Sequence, residues 1–156
     1  MSISLRVGDP APEFRGESTE GRPLALEDFR GKYLVLYFYP KSFTPGCTRE
    51  SRRFRDNYED LKGLGAEVVG VSVDEVGVQC DFARENRLSF PLIADSDEAV
   101  SRAYGAMRML VNRRITYVID PQGVIAAIFQ HEVQVLKHID DVVNFLKGLR
   151  GHAATG

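Results

Sequence analysis

With 156 residues, 44% of them hydrophobic and 27% charged, the chain has the size of one folded domain that is stable without disulfide or metal staples. Twenty basic residues against twenty-two acidic ones leave a net charge of -2, which argues against non-specific binding to nucleic acid. The longest apolar run falls far short of the ~20 residues of a membrane span, and the N-terminus lacks the apolar core of a signal peptide. A reducing cytosol is therefore the expected location, with no membrane partner.

Two cysteines, neither in a CxxC nor in a Cys/His zinc spacing, argue against a disulfide scaffold and a metal site. The opening stretch Val7-Gly8-Asp9-Pro10-Ala11-Pro12-Glu13-Phe14 has two prolines in three positions and is expected to be extended or turned. Leu34-Val35-Leu36-Tyr37-Phe38-Tyr39 is apolar without alternation, the pattern of a strand covered on both faces at the centre of an α/β sheet. Beyond Pro40 and the loop Lys41–Gly46, Cys47, Ser51, Phe54, Tyr58 and Leu61 recur at steps of four and three. That spacing predicts an amphipathic helix stopped by Gly63 and Gly65, with Glu50 among the polar residues of its other faces.

A strand at Glu67–Val73, a helix from about Val78 to Asn86, an extended piece at Phe90–Ile93 and a short helix at Asp97–Tyr104 follow. Gly105–Val111, containing Met107 and Met109, reads as a loop. Arg114–Ile119 and Val124–Phe129 flank Asp120-Pro121-Gln122-Gly123, where an early proline and a late glycine make an antiparallel hairpin. Ile139, Val142, Val143, Leu146 and Leu149 mark a last helix. The small, polar residues 151–156 read as a disordered tail behind a single domain of residues 1–150. The order of elements predicts the α/β class and a thioredoxin-like fold, a central mixed β-sheet flanked by helices.

The chemistry concentrates at Pro40-Lys41-Ser42-Phe43-Thr44-Pro45-Gly46-Cys47. Cys47 lies where a loop becomes the first turn of a helix, and unpaired backbone N–H groups and the helix dipole favour an anion there. A cysteine on an apolar stripe is most often a small buried hydrophobe. Its neighbours argue for more: Thr44 holds a hydroxyl beside the sulfur, Pro45 and Gly46 shape the turn, and Pro40 closes the strand. In a CxxC motif the first cysteine would occupy the position of Thr44, so dithiol exchange within this motif is excluded. Arg113 and Arg114 both stand at the start of a strand, and the residues alone do not choose between them.

The segment resembles the PxxxTxxC signature of peroxiredoxins, and Phe38-Tyr39-Pro40, Thr44-Pro45-Gly46-Cys47-Thr48 and Glu50 resemble the Q type, the bacterioferritin comigratory proteins. Gly8, Ala11-Pro12 and Phe14, then Phe90-Pro91-Leu92 and Asp95, then Arg114 with Tyr117-Val118-Ile119-Asp120, extend the resemblance over nearly the whole chain. It implies a thiol peroxidase acting on hydrogen peroxide and organic hydroperoxides, with no cofactor. Cys47 would be oxidised to a sulfenic acid, Thr44 would align the peroxide, and Arg114, selected over Arg113 by the resemblance, would stabilise the thiolate and the charge that develops. Pro40 would limit water access and Glu50 would orient an arginine.

Many Q-type proteins carry a second, resolving cysteine five residues after the first, where this chain has Arg52. Others place it on the helix after the next strand, where Cys80 lies. The resemblance thus implies a Cys47–Cys80 disulfide, recycled by thioredoxin or a similar dithiol, with an outside thiol as the alternative. Because Q-type relatives are often monomers, a monomer is expected rather than a dimer. A redox-inert binding module is disfavoured by Thr44 and Arg114. A cysteine hydrolase is disfavoured because no histidine precedes residue 131; His131 and His138 read as surface residues.

Overall fold

In the computed structural model, the described residues are 5–109, 111–130 and 135–155. The chain opens with a short hairpin, β1 (Arg15–Gly16) and β2 (Leu24–Ala25), and a 3-10 turn at Leu26–Phe29. There follow β3 (Tyr33–Phe38), α1 (Pro45–Gly63), β4 (Ala66–Ser72), α2 (Val76–Glu85), β5 (Leu92–Ala94) and α3 (Ala99–Ala103). A small hairpin, β6 (Met107–Arg108) and β7 (Val111–Asn112), leads into β8 (Ile115–Ile119), β9 (Ile125–Gln130) and α4 (Val135–Thr155).

Five strands form one sheet in the order β5-β4-β3-β8-β9. β3 runs parallel to β4, and β4 to β5, while β8 is antiparallel to both β3 and β9. The mixed sheet with helices around it is the expected thioredoxin-like architecture. Its central strand, β3, faces apolar surroundings on both sides, which explains its unbroken apolar run. Leu34, Leu36 and Phe38 pack with Val69, Val71, Ile93, Tyr104 and Tyr117 on one side. Val35, Tyr37 and Tyr39 pack with Cys47, Phe54, Leu61, Phe82 and Val118, and with Ile139 and Val142 of α4, on the other.

The N-terminal stretch lies against both outer strands. Gly8 N–H donates to Ile125 O, Ile125 N–H donates to Asp9 O, and Pro10 bridges Val124. At the opposite edge, Thr19 N–H donates to Leu92 O, Ala94 N–H donates to Glu17 O, and Ser18 bridges Ile93.

Three expectations need correction. Residues 107–112 form a hairpin rather than a loop, turned at Met109 with φ 61°. Another hairpin, at 15–25, was not foreseen, because two-residue strands carry no periodicity. Residues 151–155, read as a disordered tail, continue α4 as helix; Ala153 and Ala154 favour that state and no proline interrupts it. His131 lies outside the described residues, as does the side chain of His138.

Candidate active site

The parallel pairing of β3 with β4 ends the central strand at the top of the sheet, where Pro40 bends the chain and stands half-buried. Phe43 then takes a left-handed conformation, φ 67°, uncommon for an aromatic residue. Thr44 is extended and precedes α1, with Pro45 in the first turn, where its missing N–H costs nothing. The Thr44 hydroxyl does not cap the helix. It donates to Lys41 O at 2.7 Å, which leaves its lone pairs as acceptors.

Cys47 follows in that first turn, fully buried among apolar side chains. Arg114 comes to it from β8. Phe38 pairs with Ile115, so Arg114 stands one residue beyond, next to the end of β3 from which the Cys47 loop departs. Alternation along β8 puts Arg114 on the same face as Val118, the α1 face, and turns Arg113 to the other. Parity with Val118 is thus a physical reason for choosing Arg114. Its Nη1 and Nη2 both lie 3.7 Å from Cys47 Sγ, and Nη1 donates to Glu50 Oε1 at 2.8 Å.

Glu50 is fully buried, against the expectation that it shares a solvated face. It lies one turn after Cys47, and its negative charge inside the protein is compensated by Arg114. Burial works against the Arg114 charge, but Glu50 and then Cys47 outweigh it and hold the guanidinium above its already high ordinary pKa. Behind the sulfur, Ser51 and the Tyr37 hydroxyl lie 2.9 Å apart. Burial, with Tyr39 next, pushes the Tyr37 phenol well above its usual range, so both rings stay neutral.

Sequence reasoning missed a second polar cluster beside the loop. Gln79, a residue type mostly found at the surface, is fully buried. Its Oε1 accepts from Tyr39 at 2.6 Å and from Ser42 at 2.7 Å, and its Nε2 donates to Ile93 O at 2.9 Å. Ser42 N–H donates to Asp74 Oδ2 at 2.8 Å, and the Ser72 hydroxyl donates to the same oxygen at 2.7 Å. No spacing rule signals these contacts, because they join four separate segments.

Cys80, next to Gln79 on α2, is half-buried, and both cysteines are free thiols. It lines a cleft of about 570 Å³ between α2 and residues 15–23. Met107 is half-buried and Met109 is 91% exposed, so Met109 does not line an enclosed approach to the sulfur. Among the described residues, no group of three or more His, Cys, Asp or Glu side chains could hold a metal ion. Among the same residues, no helix is long and apolar enough to cross a membrane.

Residues 7–128 match the AhpC/TSA family. The chloroplastic peroxiredoxin Q of Sedum lineare is 40% identical over 154 residues, covering 96% of this chain and 83% of its own. The crystal structure of the peroxidoxin BcpB of Mycobacterium tuberculosis superimposes with a TM-score of 0.88 at 30% identity, covering 93% of this chain and 98% of its own. A bacterioferritin comigratory protein of Xanthomonas campestris, solved with a trapped intermediate and ligands and described as having alkyl peroxide reduction activity, gives a TM-score of 0.81. It is 31% identical and covers 86% of this chain and 90% of its own.

Proposed function

The chain belongs to the AhpC/TSA family and, within it, to the Q-type peroxiredoxins, which are thiol peroxidases; from that premise we propose that Cys47 is the sulfur that reduces peroxide. The observation that carries this reading is the pair of 3.7 Å approaches from Arg114 to Sγ in a site closed to bulk water. A guanidinium aimed by two nitrogens at one sulfur favours the thiolate, the nucleophilic form. The thiolate attacks the terminal oxygen of the peroxide, the O–O bond breaks, and the remaining oxygen leaves as an alkoxide or hydroxide that takes up a proton. Cys47 is left as a sulfenic acid.

Thr44 aligns the peroxide. Its hydroxyl proton is engaged by Lys41 O, so a lone pair is available to accept the peroxide O–H. Arg114 stabilises the departing oxygen as its charge grows, Glu50 fixes the guanidinium by the 2.8 Å bond, and Pro40 shields the loop from water. Hydrogen peroxide and organic hydroperoxides are the substrates; the alkyl peroxide activity of the Xanthomonas protein supports the second class. Cys80 resolves the sulfenic acid by forming a disulfide with Cys47, and thioredoxin or a similar dithiol reduces it. The position of Cys80 on α2, joined to the Cys47 loop through Gln79, supports that route.

Peroxide consumption by three proteins tests the reading. Wild type should turn over with thioredoxin, Cys47→Ser should be inert, and Cys80→Ser should reduce the first equivalent, lose thioredoxin-supported turnover and pass more readily to the sulfinic acid. Turnover by Cys47→Ser would overturn the assignment of the reacting sulfur. Full thioredoxin-supported turnover by Cys80→Ser would replace the internal disulfide with an outside thiol.

A further inference from the structure

The buried cluster around Gln79 joins the two segments that carry the cysteines. On one side it holds Ser42, in the loop that leads to Cys47; on the other, Gln79 is the residue next to Cys80. Phe43 adds a second tie, its ring standing edge-on to Phe82 of α2 at 5.2 Å between centroids. Gln79 Oε1 accepts from two hydroxyls while Nε2 is tied to β5, so the carboxamide is anchored before it grips the loop. Against these ties stands the left-handed backbone of Phe43, a strained state that the folded loop must maintain. A strained segment held by a few buried hydrogen bonds is released at lower cost than an unstrained one.

We propose that Gln79 is a positioning residue that latches the Cys47 loop, and so sets how the Cys47 sulfenic acid divides between disulfide formation and further oxidation. The inference rests on the Cys47–Cys80 disulfide proposed above. In one fate the Cys80 sulfur attacks the Cys47 sulfur, the S–S bond forms, and the hydroxyl leaves with the Cys80 proton as water. In the other, the sulfenate attacks a second peroxide, gains one oxygen to become a sulfinic acid, and releases an alcohol or water. The first fate requires the loop to leave its folded position, because Cys47 is fully buried in the first turn of α1 while Cys80 lines the separate cleft between α2 and residues 15–23, and two sulfurs can bond only when their Cα atoms are within ~7 Å. The second does not. A firm latch therefore favours the sulfinic acid and a weak one the disulfide.

Gln79→Leu keeps the volume and removes the acceptor, and Ser42→Ala removes only the loop's bond to it. Reduced protein is treated with increasing hydrogen peroxide and quenched, and mass spectrometry counts disulfide and sulfinic acid. The peroxide concentration that converts half the protein to the sulfinic acid should rise about fivefold in each variant, the factor one buried hydrogen bond carries. Oxidation by the first equivalent should stay within twofold of wild type. Hydrogen exchange of the reduced variants should show residues 41–48 and 76–80 losing protection together, which a defect confined to α2 would not produce. Should Gln79→Leu fail to fold, Ser42→Ala carries the test. A half-point that does not move, with the wild-type disulfide present, overturns the latch; a wild type that forms no Cys47–Cys80 disulfide overturns the resolving route beneath it.

Discussion

Glu50→Gln tests whether the Cys47 sulfur and the Glu50 carboxylate share one cation. The guanidinium of Arg114 lies 2.8 Å from Glu50 Oε1 and 3.7 Å from Sγ, with the Arg114 side chain 9% exposed and the Glu50 side chain 0%. At an effective dielectric of ~20, unit charges at these separations attract by about 6 and about 4.5 kcal/mol, so the Glu50 carboxylate and the proposed Cys47 thiolate would pull comparably. Removing one partner of a buried pair costs ~3–5 kcal/mol when the other charge is left uncompensated. With Cys47 as the proposed thiolate, the sulfur anion would compensate Arg114 after Glu50→Gln in the parent protein; in a Cys47→Ser background there is no such anion. The substitution should therefore cost about 2 kcal/mol more in the Cys47→Ser background. Urea unfolding of the four reduced proteins at neutral pH, followed by circular dichroism because the chain has no tryptophan, gives the cycle directly. Additive costs, with a coupling below ~0.5 kcal/mol, would refute a sulfur anion held by Arg114.

Arg114→Lys keeps the charge but presents one nitrogen where two now approach Sγ, so peroxide reduction should slow by ~10-fold or more while the unfolding midpoint changes little; equal rates would remove the fork geometry from the mechanism. Gly70→Ala sets a Cβ 2.7 Å from both Leu92 Cδ2 and Tyr37 Cζ, and this crowding should cost ~1–3 kcal/mol, read as a lower melting temperature. Burial pushes the Asp95 carboxyl up despite hydrogen bonds from Ser101 and Val100. Its contribution is thus fully present below the ordinary carboxyl pKa of ~4 and is lost as pH rises through the raised folded value. Asp95→Asn should flatten the stability–pH curve across that window, and an unchanged slope would count against the shift.

The long elements were legible because each has one dominant period. α1 shows its stripe from Cys47 to Leu61, and the hairpin at Asp120–Gly123 declares its turn by composition. Cys47 and Thr44 were legible because a loop, a helix start and a fixed spacing meet in one short segment. Glu50 was assigned to a solvated face because a carboxylate on a helix is usually solvated; only a cation arriving from a strand 64 residues away makes its burial tolerable. Gln79 went unnoticed for the same reason. Its partners lie at residues 39, 42 and 93, and no local pattern announces a side chain satisfied from three directions.

The N-terminal stretch pairs along β5 and with the start of β9 at Ile125, on the two outer strands, whose unpaired backbone could otherwise be offered to another molecule. One segment near the start of the chain therefore covers the whole of one edge and the beginning of the other. Its partners lie at residues 92–94 and 123–125, so on a ribosome it emerges early and has nothing to bind until most of the domain has been made. During that interval Leu92-Ile93-Ala94 and the start of β9 at Ile125 are open to templated pairing with a neighbouring copy, the first step toward fibrous aggregation. A tag or deletion before residue 20 thus bears on solubility more than on chemistry, although the residues it disturbs lie outside the Cys47 site.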